Sequence, residues 1–297
     1  MRFPAPAALR ATRRPHPAWL FFAAALLALG LTLHGPIAQW AGYHAFADAR
    51  SWLGLPNALN VLSNLPFALI GAWGLWVHAR APRTASAQTH RNAWWCFSAA
   101  LTCTAFGSAL YHWAPGNALL VGDRLPIAWA CAALLCAFLS ERVDERWAGV
   151  PALAAAFAAS SAAVAWWWFS EPHGRGDLRP YLYVQFLPML IVPFAIWLRL
   201  PILGAHALRN GTWWAGLALY GGAKLMEFAD QTVFEALGFT SGHTLKHLLA
   251  AAAALVLLRA ALRPKAQPER RAAPSQAAPL GGRSAATGGP INSDSRR

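Results

Sequence analysis

The sequence predicts an all-α fold, a polytopic transmembrane helical bundle, on three observations. Of 297 residues, 57% are hydrophobic and 12% charged, whereas an ordinary soluble domain gives roughly 25% to charge. The apolar residues gather in runs of about 17 to 22, enough helix to cross a hydrocarbon core about 30 Å thick. Inside such a core the backbone must satisfy its own amides, which a helix does within one segment. Length alone would allow two soluble domains, but the runs succeed one another through short loops and describe one bundle.

Eight spans are expected, at about 18–34, 59–78, 93–112, 120–140, 149–168, 181–199, 212–229 and 243–262. The first follows a basic stretch and has the look of a signal peptide, but it is long for that role and lacks a small-x-small cleavage site, so an uncleaved helix is expected. The second opens on the polar "NALNVLSNLPF", where Asn57, Asn60, Ser63 and Asn64 mark two helical faces. The third closes on "GSALYHW" and the fourth opens on "VGDRLPIAWA". Trp94 with Trp95, and Trp166 to Trp168, stand at span ends as interfacial anchors do. The seventh ends in "GGAKLMEFADQ" and the eighth begins in "SGHTLKHLLA". From 264 to 297 the chain turns to Pro, Ala, Gly, Ser and Arg, a composition that buries no core and reads as a disordered tail.

A net charge of +13 would suit a nucleic-acid partner if it formed a stripe. It lies instead between the apolar runs and in the tails, weighted to alternate loops while the opposite loops hold only Arg50, Arg124, Arg175 and Arg179, which topology explains more simply than a nucleic-acid partner. Arg2, Arg10, Arg13 and Arg14, then Arg80, Arg83 and Arg91, Arg142 and Arg146, Arg199 and Arg209, and Arg263 onward mark cytoplasmic segments. Both termini are expected inside. The four cysteines, Cys96, Cys103, Cys131 and Cys136, lie in apolar runs and indicate packing, with no disulfide framework.

Polar side chains inside spans are costly and mark function. His243 and His247 stand four apart on one helical face, and the same spacing joins Ser108 to His112, with Asp123 eleven residues further on. The topology brings all these helix ends, with the start of the second span, to the non-cytoplasmic side. Three imidazoles with a carboxylate and a hydroxyl nearby suit zinc, which in catalytic sites takes three protein ligands and keeps a fourth position for water. Taken singly, each residue has a plainer role: interfacial hydrogen bonding for the histidine pair, close helix packing or back-bonding to the preceding turn for Ser108, and pairing with Arg124 or favouring the helix N-terminus for Asp123. Lys224, Glu227 and Asp230 form a second cluster, either an internal ion pair, a support for a ligand imidazole, or, in a transporter, a proton relay. His44, His78, His90, His173 and His206 are expected at solvated loops or their edges.

With "NVLSN" at 60–64, "GSALYH" at 107–112, "DRLP" at 123–126 and "GHTLKHLL" at 242–249, the chain resembles the alkaline ceramidase family, within the superfamily that also holds the adiponectin-receptor-like proteins. The resemblance implies a seven-helix catalytic core over 59–262, with the helix at 18–34 and a basic segment at 1–17 additional to it. It implies zinc on His112, His243 and His247, Asp123 as general base and acid, and Ser108 placing the oxygen of the attacked amide. The substrate would be a membrane lipid, ceramide or another long-chain N-acyl lipid, with no protein partner implied. The family's calcium-binding acidic cluster is depleted here: "HAFADARSWLGLPNALN" keeps Asp48, lacks glutamate and has Asn57 where an acidic ligand would stand, which argues against calcium. Ala-, Arg- and Pro-rich composition and short loops point to a bacterial inner membrane, with the site toward the periplasm. Two rivals stay open, a receptor-like or lipid-sensing bundle with a structural zinc and a transporter using the Lys224 cluster.

Overall fold

A computed structural model of the protein describes residues 15–80, 85–171, 176–204 and 206–263. Most of the basic segment at 1–17, the tail at 264–297, and Arg83, His173 and Arg175 lie outside the described residues. Within them the fold is all-helical: α1 (Ala18–His34), α2 (Ala58–Leu62), α3 (Leu65–Arg80), α4 (Ala85–Trp113), α5 (Asn117–Arg142), α6 (Val150–Ser170), α7 (Arg179–Trp197), α8 (Asn210–Phe228), α9 (Asp230–Leu237) and α10 (Gly242–Leu262). The short α9 is an element the hydropathy pattern does not announce.

Six of these segments are long and apolar enough to cross a bilayer: Ala58–Arg80, His90–Trp113, Asn117–Arg142, Val150–Ser170, Arg179–Trp197 and Gly242–Leu262. They mark the chain as an integral membrane protein. Residues Ala18–His34 form a shorter apolar helix, and α8, with Lys224 and Glu227 in its last turn and a half, is long but more polar. The outer surface carries Trp76, Phe106, Phe169, Trp197 and Phe228 exposed, an apolar exterior suited to lipid.

Two local features shape the end of the bundle that holds the histidines. The second expected span is broken between α2 and α3, because the side chains of Ser63 and Asn64 both donate to the Asn60 carbonyl and compete with the helix ladder. Pro66, one residue into α3, has no N–H for the Leu62 carbonyl. The break turns Asn60, Ser63 and Asn64 into the interior. Between α4 and α5, Gly107 approaches so closely that a Cβ there would overlap the Gly122 carbonyl. Pro126 leaves that carbonyl without its helical donor, and the close approach sets Ser108 beside Asp123.

The segment from Gly35 to Asn57 crosses the same end. Its ties include His44 to Tyr111 and Asn117, Gln39 to Asn117, the Ala47 amide to Asp230, and Arg50 to the Gly238 and Phe239 carbonyls. At the opposite end Arg142, expected in a basic loop, is the buried last residue of α5 and donates to the Leu208 carbonyl and Asn210 Oδ1. All four cysteines are free.

Candidate metal centre

His112 sits in the last turn of α4, and His243 and His247 in the first two turns of α10. All three are buried, at 1%, 8% and 5% exposure. One nitrogen from each lies within 4.8 Å of the others, and the ring centroids are 4.7 to 4.9 Å apart. The Nε2 atoms of His112 and His243 are separated by 3.3 Å. Two nitrogens about 2.05 Å from a tetrahedral metal stand about 3.3 Å apart, so this pair already has the edge length of a zinc site.

The surroundings orient the rings. Ser63 Oγ is 2.7 Å from His247 Nδ1 and 2.9 Å from the Asn60 carbonyl. A hydroxyl has one proton, and the Asn60 carbonyl can only accept, so Ser63 donates there and accepts the Nδ1–H of His247. That leaves the Nε2 lone pair of His247 turned toward the other rings. Asn57 donates to the His112 carbonyl at 2.8 Å, and Thr244 donates to Asn60 Oδ1 at 2.8 Å. Gly242 admits no Cβ against the Met226 carbonyl and the Asp230 backbone, and Asp230 accepts the His243 amide at 2.7 Å. Phe46 packs edge-to-face against the His112 and His243 rings, with centroids 4.7 and 4.9 Å apart. His112 Nδ1 is buried without a hydrogen-bond partner among the described residues. Imidazole lone pairs turned toward one another in a buried cluster are costly unless a proton or a cation lies between them; the three histidines could hold a metal ion.

Ser108 and Asp123 are buried beside one another, within hydrogen-bonding reach, and Asp123 Oδ1 has no partner. Both line a cavity of about 390 Å³, as does His247. Away from this polar end the cavity wall is apolar, with Phe97, Leu101, Leu134, Val192 and Leu257 among its residues. Its volume falls in the ordinary range of ligand sites, about 300–1,000 Å³.

The second cluster resolves differently. Glu227 receives Lys224 at 2.7 Å and Lys246 at 2.9 Å, and Asp230 receives backbone amides of Ala47 and His243. The internal ion pair is therefore real and larger than the sequence indicated, and neither carboxylate is spent on a ligand imidazole. Asp123 does not pair with Arg124, whose Nε and Nη1 have no hydrogen-bond partner among the described residues. His44 and His78 are not solvated: the first is bonded to Tyr111 and Asn117, and the second is 6% exposed. His90 lies 3.8 Å from Glu141.

The residues around Asp48 do not fit calcium. Arg50 bonds both Asp48 carboxylate oxygens, at 2.7 and 2.8 Å, and this hydrogen bonding holds the carboxyl below the usual range. Asn57 turns its amide N–H to the His112 carbonyl. Phe46, Lys246 and the burial of Arg124 were missed as site features, and Ser63 was placed at this end of the bundle without its role on His247. Ser63 carried a signal, its place in the polar "NVLSN"; Phe46 carried none, since only the path of its loop brings it to the rings.

Comparison with protein-family models, with curated proteins and with solved structures gives no match.

Proposed function

We propose that the protein is a zinc-dependent membrane amide hydrolase that cleaves the N-acyl bond of ceramide or a related long-chain N-acyl lipid, with a seven-helix ceramidase-like core. The observation that carries this reading is the joining of two features: a buried three-histidine cluster and a largely apolar cavity that meet at His247, with Ser108 and Asp123 also in the cavity wall. Zinc on His112, His243 and His247 would supply Lewis acidity and an acidified water at neutral pH.

The chain's own groups do the rest. The apolar wall takes the acyl chain and sets the amide at the polar end. Asp123, with one oxygen uncommitted, takes the proton of the attacking water and returns it to the leaving amine. Ser108 donates to the carboxylate or to the oxygen of the attacked carbonyl as charge develops there.

Fatty-acid release from a panel of N-acyl lipids, ceramides included, tests the reading on the parent and on His243→Ala. Metal-dependent release by the parent alone supports it. Zinc at one per chain with no release from any lipid would favour a receptor-like bundle with a structural metal. A transporter would instead lose flux on Glu227→Ala with its metal content unchanged.

A further inference from the structure

Arg124 is 2% exposed at the histidine end of α5. Its guanidinium lies 4.1 Å from the ring centroid of Trp167, 5.1 Å from Tyr43 and 5.2 Å from Tyr181. The rings offset part of the cost of burying the charge, but they accept no N–H in the ring plane, and Nε and Nη1 are both buried without a partner among the described residues. A buried cation with unused donors in a membrane protein is a functional site by default.

Arg124 also lines the cavity, with Asp123, Lys224, Glu227 and Lys246. Glu227 is shared by the two lysines, so it does not serve the guanidinium. Three cations against two carboxylates leave one positive charge in excess in the cavity wall, and Arg124 is the cation with two buried nitrogens, Nε and Nη1, unclaimed among the described residues. The aromatic cage fixes its plane, as recognition of a carboxylate or phosphate requires.

We propose that Arg124 is the receptor for an oxyanion: the amphiphile taken into this cavity carries a carboxylate or phosphate at its polar end, held at the histidine end while its chain lies along the apolar wall. The proposal rests on the cavity being the lipid site of the function proposed above, and it directs that function toward N-acyl lipids with an acidic headgroup or toward retention of the fatty-acid product. Neutral ceramide would leave the guanidinium unmatched.

The test is equilibrium binding to the full chain in phosphatidylcholine nanodiscs, with two matched pairs of probes. N-oleoylglycine and N-oleoylethanolamine differ in a headgroup carboxylate; oleate and oleyl alcohol differ in a carboxylate on the chain itself. The parent should bind at least one acid about tenfold or more tightly than its neutral twin, as a charge-assisted hydrogen bond allows. Preference within the first pair assigns the anion to the headgroup, and within the second to the product. Arg124→Gln should erase the preference, and Arg124→Lys should keep part of it. Equal affinity within both pairs for the parent overturns the proposal however the variants fold, as does a preference that survives in Arg124→Gln. Because binding is read without turnover, a protein that prefers acids and hydrolyses nothing keeps the anion site and loses the hydrolase reading.

Discussion

Replacing Ser63 by alanine isolates one contact on which the candidate metal centre depends. In the parent, the hydroxyl accepts the Nδ1–H of His247 at 2.7 Å while donating to the Asn60 carbonyl at 2.9 Å. Alanine removes both bonds and leaves the imidazole free to rotate or to take its other tautomer, with the proton on the nitrogen that should face the metal. Loss of such a supporting partner costs about 10- to 100-fold in metal affinity, which is about 1.4 to 2.8 kcal/mol. Without metal, the variant should also lose stability, because a buried N–H left unpaired costs about 1–3 kcal/mol. The assay is competition for zinc between purified protein and a chelator of known affinity, run on the parent, Ser63→Ala and Ser63→Thr. Threonine keeps the hydroxyl and should retain most of the affinity. Parent-like zinc affinity in Ser63→Ala, with His243→Ala showing that the measured zinc does occupy the histidines, would refute the assignment of His247 as a ligand held by Ser63.

Alanine at His112, His243 or His247 should remove bound metal and lipid hydrolysis together, whereas Asp123→Asn should retain metal and lose turnover; metal analysis beside an activity assay separates the two. Gly107→Ala should lower the melting temperature, because the new Cβ meets the Gly122 carbonyl and overpacking of this kind costs on the order of 1–3 kcal/mol; an unchanged melting temperature would show that α4 and α5 part freely. Asp177 carries an acid-side prediction. Hydrogen bonds from the Arg179 side chain, above all, lower its carboxyl from 3.8 to about 2, and it also receives Trp166 at 3.1 Å. A folded-state value below the unfolded one means that the carboxylate's stabilisation is complete above pH 3.8 and fades as pH falls toward about 2. Asp177→Asn should therefore lower stability at neutral pH and narrow its gap to the parent in that acid window, which unfolding followed against pH would reveal.

Helical class and membrane character were legible in the sequence because both follow from composition and run length: a bilayer leaves an apolar segment of about 20 residues one way to satisfy its backbone. The histidine pair was legible for a similar reason, since residues four apart share a face whatever the tertiary fold. His112 could be joined to that pair only through the alternation of helix ends. The six strongly apolar spans all lie among the eight expected, whereas the break at Ser63 and Asn64 was harder to foresee, because side chains that bond to the preceding turn and a proline just beyond it outweigh hydropathy there.

Tertiary structure alone decided what each polar group touches. Sequence adjacency put Arg124 next to Asp123 and suggested a pair, yet consecutive residues on a helix point about 100° apart, and the guanidinium turns to Trp167, Tyr43 and Tyr181 from three other segments. Likewise Glu227 found a second lysine, Lys246, on α10, and Phe46 reached the histidines through a loop whose course has no periodicity to read. A one-dimensional pattern records which face of its own helix a residue occupies; which other segment meets that face is set by packing between helices, where close approaches such as Gly107 against Gly122 choose the neighbours.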